Sequence, residues 1–205
     1  MTHPISCSCG KLKGRLEQTQ GVNRGICYCA DCQAFARFLK RDAEILDHNG
    51  GTDVVQTVPK HLSFTEGLEH LACMRLSPNG LLRWYAACCN TPIGNTSANF
   101  KLSFVGLIHT CLASEAEAKA GALDQAFGPK RMQVNTVSAL GQPKPRSFGV
   151  LPAIPRIAGM LLKARFDGSY KRTPFFTSGS SDSGVPIVTP KVLSLQERQA
   201  LKRVG

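Results

Sequence analysis

Residues 71–89 read LACMRLSPNGLLRWYAACC and predict an antiparallel β-hairpin. Two apolar segments flank a Pro-Asn-Gly turn at residues 78–80, a pattern that is typical of two paired strands. The second strand ends in two thiols, Cys88 and Cys89. The hairpin therefore predicts a β-rich chain, and its cysteines raise the question of what the strand end binds.

The length and composition indicate a globular chain. It has 205 residues, of which 42% are hydrophobic, and this is enough for one core plus an appendage. No apolar run reaches the ~20 residues that a membrane-spanning helix requires. Residues 1–10 carry neither the charged nor the apolar segment of a secretory signal. We therefore expect a cytoplasmic protein without a membrane span.

Nine cysteines are many for a cytoplasmic chain, and the number is odd. The reducing cytosol disfavours structural disulfides, so clustered thiols in such a chain indicate metal binding or catalysis. All nine precede residue 112, and any cysteine chemistry is therefore expected in the first part of the chain.

Strand patterns dominate that first part, and helix patterns follow it. Short alternating or apolar segments predict strands at CGKLKGRLE, NRGIC, TDVVQTVP, HLSFTEG and KLSFVGLIHTCL, while QAFARFL predicts a short helix. Capping boxes at Ser114 with Glu117 and at Ser194 with Glu197 predict two later helices, and PRIAGMLLKARF predicts a basic one. The predicted class is mainly β, with antiparallel sheets, plus a helical C-terminal extension.

Charge divides the chain in the same way. Residues 129–205 hold 13 Lys/Arg against 3 Asp/Glu, whereas residues 1–128 are nearly neutral. We therefore predict a cysteine-bearing β domain over 1–112 and, over 113–205, a helix with a basic extension rich in Pro, Gly and Ser. Such an extension can bind nucleic acid or another anionic surface, or it can form a solvated face.

Two cysteine pairs indicate a four-sulfur metal site. Cys7 and Cys9 are followed by Gly10, which permits a tight turn with both sulfurs on one side. Cys88 and Cys89 can complete a tetrahedral thiolate site. The alternative is that these cysteines are small buried hydrophobic residues.

The segment CYCADC, residues 27–32, places three thiols in six positions. Three sulfurs can hold a metal and leave its fourth position open, as catalytic zinc sites do. If the following segment is a helix, Cys32 lies near its N-terminus, where the helix dipole lowers a thiol pKa. The alternative is a redox pair of Cys29 and Cys32, which gives Cys27 no role. Tyr28 and Asp31 could handle a proton there, or they are turn residues.

The succession CSCG, CYCADC and CCNTP resembles the glutathione-dependent formaldehyde-activating enzyme family, which includes centromere protein V and has an Mss4-like fold with zinc knuckles. The similarity covers roughly residues 5–110, and RLSPNGLLRWYAACCNTPIGNT resembles an uncharacterised bacterial branch of these proteins. The resemblance implies that Cys27, Cys29 and Cys32 bind a catalytic zinc where the thiol of glutathione acts.

The resemblance also implies a structural zinc on Cys7, Cys9 and Cys89, but one ligand is missing. Aligning the Thr-Pro pair places Ala86 at the position of a fourth cysteine, and Asn90 at the position of a glycine. Either of two other cysteines, Cys73 or Cys88, can supply the missing fourth ligand. With the hairpin turn centred on Asn79, Cys73 is expected opposite Tyr85 or Ala86, and Cys88 is adjacent to Cys89.

The function implied by the resemblance is that of a carbon–sulfur lyase acting on glutathione–formaldehyde adducts. A site with three thiolates is a weak Lewis acid, so a role in binding or carrying a small thiol competes with catalysis. A second function class is a non-catalytic zinc module whose basic tail binds nucleic acid, for which centromere protein V is an analogy only.

Overall fold

The structure is a computed structural model that describes residues 1–114, 117, 121–177 and 184–202. Within these residues the chain is mainly β, with several sheets and a few helices. The strands are β1 (His3–Ser6), β2 (Lys13–Leu16), β3 (Asn23–Cys27), β4 (Thr52–Thr57), β5 (Leu62–Glu66), β6 (Leu71–Arg75), β7 (Leu82–Ala86), β8 (Thr91–Thr96), β9 (Val105–Ile108), β10 (Met132–Val134), β11 (Phe176–Thr177), β12 (Val185–Pro186) and β13 (Lys191–Val192). The α-helices are α1 (Ala30–Phe38), α2 (Asp42–Ile45), α3 (Ala122–Phe127), α4 (Val150–Phe166) and α5 (Leu195–Lys202).

The largest sheet has the strand order β10-β3-β4-β9-β8-β7-β6-β13 among the described residues. Its six inner strands pair antiparallel, as the sequence predicts, but both outer strands pair parallel with their neighbours. Parallel pairing needs a long connection, which the chain between β3 and β10 and between β6 and β13 provides. A second sheet with the order β1-β2-β5 leads into the turn that carries Cys7.

The hairpin predicted from residues 71–89 is present as β6 and β7, with a register that differs from the expected one. Cys73 lies opposite Trp84, not opposite Tyr85 or Ala86. The N–H of Gly80 donates to the carbonyl of Ser77 at 2.9 Å, which centres the turn between residues 78 and 79. Centring the turn half a residue earlier moves every cross-strand pair by one position.

The main core surrounds Trp84 on β7. Its side chain is completely buried, and its indole N–H donates to Oγ1 of Thr96 at 2.9 Å. Phe175, from the basic extension, packs on it with ring centroids 4.8 Å apart and is itself fully buried. Aromatic burial of this size contributes several kcal/mol per residue, about 3–5 on truncation to alanine. The extension therefore supplies part of the core.

A second buried cluster joins α1 to the large sheet. Phe35 of α1 and Leu39, which directly follows the helix, pack with Met74, Ile108 and the extension residue Leu193. The N-terminus of α1, which carries the CYCADC segment, is thus held on the sheet by apolar contacts on the same helix.

The segments after residue 112 are closely integrated with those before it. β10 and β13 extend the large sheet, and α5 packs on α1. The division into 1–112 and 113–205 stays a prediction, but the charge pattern did not indicate these contacts. None of the described helices combines the length and the apolar character needed to cross a bilayer.

Both predicted capping boxes form. The N–H of Ser114 donates to Oε2 of Glu117 at 2.8 Å, and the N–H of Ser194 donates to Oε2 of Glu197 at 2.8 Å. The second box opens α5. Part of the helix predicted after Ser114 falls on residues 115–116 and 118–120, outside the described residues, and α3 covers its later part.

Candidate metal centres

Four cysteines form the first cysteine group: Cys7, Cys9, Cys88 and Cys89 have their sulfurs within 4.8 Å of one another. The first two lie in the turn after β1, and the other two lie after β7. The Sγ–Sγ distance is 3.5 Å from Cys7 to Cys9, 3.3 Å from Cys9 to Cys88 and 3.8 Å from Cys88 to Cys89. The two pairs singled out in the sequence are therefore brought together.

The spacing of these sulfurs fits a metal ion. In a tetrahedral site with zinc–sulfur distances of about 2.3 Å, neighbouring sulfurs lie about 3.8 Å apart. The distances of 3.3 to 3.8 Å are close to this value. The first cysteine group can therefore hold a metal ion on four sulfur ligands.

Two left-handed residues shape the turns of this group. Gly10 has a φ of +74°, and its N–H donates to the carbonyl of Cys7 at 2.9 Å. Asn90 has a φ of +56° directly after Cys89. Asparagine enters this region more readily than most residues with a side chain. Asn90 can therefore take the place of the glycine expected from the resemblance.

Polar side chains hold the two turns against each other. Oγ1 of Thr91 accepts from the N–H of Ser8 at 3.0 Å, and Arg41 donates to the carbonyl of Cys89 at 2.8 Å. Burial alone would raise the pKa of Cys89, but hydrogen bonds with Ser8 and Thr91 lower it to about 5. The group thus favours a thiolate at this position. The role of Arg41 was not predictable from the sequence, because nothing near it suggests a contact with residue 89.

Cys73, the other candidate for the missing ligand, lies apart from the first cysteine group. It is buried in the main core opposite Trp84, and burial raises its pKa to about 12. Its sulfur is not among the four that lie within 4.8 Å of one another. Of the two candidates, the structure brings Cys88 to the group and leaves Cys73 in the core.

Three cysteines form the second cysteine group: Cys27, Cys29 and Cys32 also have their sulfurs within 4.8 Å of one another. Cys27 ends β3, Cys29 is the N-cap of α1, and Cys32 lies in its first turn. Sγ of Cys29 accepts from the N–H of Cys32 at 3.3 Å. Among the residues that the structure describes, no histidine, carboxylate or further cysteine joins these three.

Hydrogen bonds among the three thiols favour the thiolate form of Cys27. Hydrogen bonds from Cys29 and Cys32 hold the pKa of Cys27 far below its usual range, although burial opposes them. The hydrogen bond to Cys27 in turn raises the pKa of Cys29 and of Cys32. The second cysteine group therefore offers one ready thiolate and two thiols that lose their protons when a cation replaces them.

Two residues from outside the motif act on this group. The amide nitrogen of Asn135, which directly follows β10, donates to Sγ of Cys27 at 3.4 Å. The buried Arg83 lies near enough that its charge partly offsets the rise in the pKa of Cys32, a rise caused mainly by Cys27. Neither residue was predicted from the sequence to contact this group. Only the three-dimensional pairing of β10 with β3 could have identified Asn135.

The two residues considered for proton transfer have other partners. Tyr28 is buried and donates to Oδ2 of Asp47 at 3.2 Å, and burial with the nearby carboxylate raises its pKa to about 12. Asp31 forms ion pairs with Lys202 at 2.9 Å and with Arg198 at 3.8 Å. Both side chains thus serve the local structure.

A cavity of about 790 Å³ lies beside the first cysteine group and is lined by Cys7 and Ser8 among others. Three buried polar atoms of its lining residues have no hydrogen-bond partner within the described part of the chain: Nε of Arg41, Nδ1 of His109 and Oγ1 of Thr110.

His109 and Cys111 lie in a 3₁₀ turn, His109–Cys111, and not on the strand predicted for them. That strand, β9, ends at Ile108.

No curated protein matches the chain. A solved structure of a Rhodobacter sphaeroides protein is similar at 16% identity and a TM-score of 0.39, over 58% of this chain and 94% of that one. A family profile matches residues 1–185. The chain therefore belongs to the family of unknown function DUF6151.

Proposed function

We propose that the protein is a zinc protein with one closed structural site and one open site that binds a small thiol. The observation that carries the proposal is the second cysteine group, in which three sulfurs converge at the start of α1 and no fourth protein ligand joins them within the described residues. A closed site is typical of structural zinc, and an open one is typical of zinc that binds a ligand.

The first cysteine group is the proposed structural site. Its four sulfur ligands favour a soft-ligand metal such as zinc. It joins the turn after β1 to the strand end after β7, two segments about 80 positions apart. Structural zinc contributes about 10–16 kcal/mol in small domains, which is as large as a typical folding free energy.

The second cysteine group is the proposed functional site. Zinc bound there would keep a fourth, exogenous thiol deprotonated at neutral pH. Cys27 supplies the first thiolate, and the other two cysteines release their protons on binding. Asn135 donates to the sulfur of Cys27 and so holds it in place. The charge of Arg83 lies near Cys32 and offsets part of the negative charge of three thiolates.

The motif order supports glutathione as the thiol and an Mss4-like fold as the scaffold, by resemblance to the formaldehyde-activating family. The reaction implied is addition of the thiol to formaldehyde. A carbon–sulfur bond forms, the carbonyl becomes a hydroxyl, and the thiol proton ends on that oxygen. The reverse reaction breaks the carbon–sulfur bond. Binding without turnover is the weaker form of the same proposal.

Calorimetric titration of glutathione into the zinc-loaded protein tests this function. We expect binding by the parent and none by Cys29→Ser, with zinc content falling from two equivalents per chain to one. Cys111→Ala, which changes a buried cysteine outside both groups, is the matched control and should bind as the parent does. Equal affinity of the parent and Cys29→Ser would rule the functional site out.

Nuclear magnetic resonance then separates turnover from binding. With glutathione and formaldehyde present, a catalyst accelerates exchange between the free thiol and its hydroxymethyl adduct. Acceleration by the parent and not by Cys29→Ser supports a lyase. Binding without acceleration leaves a thiol-binding protein.

A further inference from the structure

Helix α4 carries a row of large apolar side chains on its solvent side. The exposed fraction is 80% for Leu151, 55% for Ile154, 55% for Leu162 and 85% for Phe166. These residues are three, four or eight positions apart, so they lie on one face of the helix. The row extends for about 22 Å along the axis at 1.5 Å per residue. We call it the α4 apolar row.

The opposite face of α4 anchors the helix to the rest of the molecule. Ala153 and Ala164 are buried there, and the helix contacts β10 and β3. Gly149 precedes the helix with a φ of +73°, and a Cβ at this position would come within 1.9 Å of the carbonyl oxygen of Arg131. The helix start is therefore fixed against the chain before β10, and the α4 apolar row is held outward.

The charges of the helix all have one sign. Arg156, Lys163 and Arg165 are its charged residues, and no Asp or Glu occurs within Val150–Phe166. None of the three forms an ion pair with a carboxylate of the described residues; Arg165 instead lies over the ring of Tyr170 at 5.2 Å. The surrounding segment, residues 129–205, carries 13 Lys/Arg against 3 Asp/Glu.

We propose that α4 docks on the surface of an anionic lipid bilayer, with the α4 apolar row entering the interface between headgroups and acyl chains. A helix with bulky apolar residues on one face and only Lys/Arg as charges is typical of this binding mode. The cations face anionic headgroups while the apolar side chains leave water, so both features of the helix are used.

Other occupants fit only one of these two features. Nucleic acid binds cations through its phosphates and has no use for an apolar row 22 Å long, which is about four turns of the helix. A second copy of α4 would cover the apolar row but would bring two sets of cations together, and like charges in contact disfavour an interface. Charge complementarity therefore favours the anionic membrane.

Co-sedimentation of the full zinc-loaded chain with lipid vesicles tests the proposal. We expect binding to phosphatidylcholine vesicles that contain phosphatidylserine, weaker binding to phosphatidylcholine alone, and loss of the difference at high salt. The double variant L162Q/F166Q should lower the partition coefficient about tenfold or more. R156Q/K163Q should lower it about fivefold per charge on the anionic vesicles.

Two matched controls separate these effects from general changes of the surface. L195Q removes an apolar side chain that is 68% exposed on α5, and K11Q removes a charge from the exposed Lys11. Both should sediment with vesicles as the parent does, and all variants should melt at the parent temperature.

Three outcomes would overturn the proposal. One is equal sedimentation of L162Q/F166Q and the parent with anionic vesicles. Another is binding of duplex DNA that R156Q/K163Q abolishes and L162Q/F166Q retains, with no vesicle binding. The last is a dimer in sedimentation velocity that only L162Q/F166Q dissociates. None of these results depends on thiol binding at the second cysteine group.

Discussion

The amide nitrogen of Asn135 lies 3.4 Å from the sulfur of Cys27, although 108 positions of sequence separate them. The parallel pairing of β10 with β3 creates this contact, because it aligns Val134 with Cys27. Asn135 itself has a φ of +58°, which turns the chain as the strand ends. A residue of the basic segment thus contacts the second cysteine group.

Replacing Asn135 tests its effect on the thiolate. Asn135→Gly removes the donor and keeps the left-handed backbone, since glycine enters that region freely. We expect an unchanged melting temperature and a loss of glutathione affinity of about tenfold, which corresponds to the lower end for one hydrogen bond to a charged group. Asn135→Asp, which puts a carboxylate beside the sulfur, should lose more. Equal affinities measured by calorimetry would show that the contact has no role in ligand binding.

The two candidates for the fourth ligand of the first cysteine group are separable by metal analysis. Cys88→Ser should lose one equivalent of zinc and unfold or aggregate, because structural zinc is worth about as much as the whole folding free energy. Cys73→Ala removes a buried sulfur from the core and should keep all its zinc, with a cost of about 1 kcal/mol. Loss of zinc from Cys73→Ala with retention by Cys88→Ser would reverse the assignment.

A buried ion pair beside the cavity gives a prediction for stability. Arg24, whose side chain is 4% exposed, donates to Oδ2 of Asp53 at 2.7 Å. Asp53→Asn removes the buried carboxylate and leaves Arg24 with Asp124 as its remaining carboxylate partner, so it should cost about 3 kcal/mol, the lower end for a broken buried pair. Asp124 also pairs with Arg24, but its side chain is 65% exposed, so Asp124→Asn should cost about 1 kcal/mol or less. Urea unfolding of both variants measures the difference, and similar costs would contradict this ranking.

His109 gives a prediction for pH. Burial lowers its pKa below the usual 6.5, so the unfolded chain binds its proton more readily than the folded one. The stabilisation that depends on neutral His109 is therefore fully present above pH 6.5 and is lost as the pH falls below this value. Melting temperatures between neutral and mildly acidic pH should fall less steeply for His109→Gln than for the parent.

A second histidine, His61, allows a further test of how the melting temperature depends on pH. Burial also lowers the pKa of His61, which acts with the same sign. The double variant His61→Gln/His109→Gln should therefore show the shallowest slope. Zinc content is measured at each pH, because protonation of the cysteines releases metal. Parent-like slopes in both variants at constant zinc would contradict the prediction.

The sequence predicted local features well. The hairpin follows from two apolar segments around a turn, the capping boxes follow from residues three positions apart, and the cysteine groups follow from their spacing. Contacts between distant segments were not predictable in this way. The expected partner of Cys73 was wrong because the turn is centred half a residue earlier than predicted. Such a shift moves every cross-strand pair by one position, and side chains alternate between the two faces of a strand. The burial of Phe175 in the core was not predictable, because the segments on either side of it are basic or rich in Ser and Gly.

The placement of β10 also sets an order of assembly during synthesis. The chain is made from its N-terminus, so the thiols of CYCADC leave the ribosome long before the segment that donates to Cys27. The first cysteine group can close once residue 89 has emerged, whereas the second waits for Asn135 and then for α5, whose Lys202 pairs with Asp31. A nascent chain therefore carries the three thiols of CYCADC without these contacts until residues 135–202 have been made.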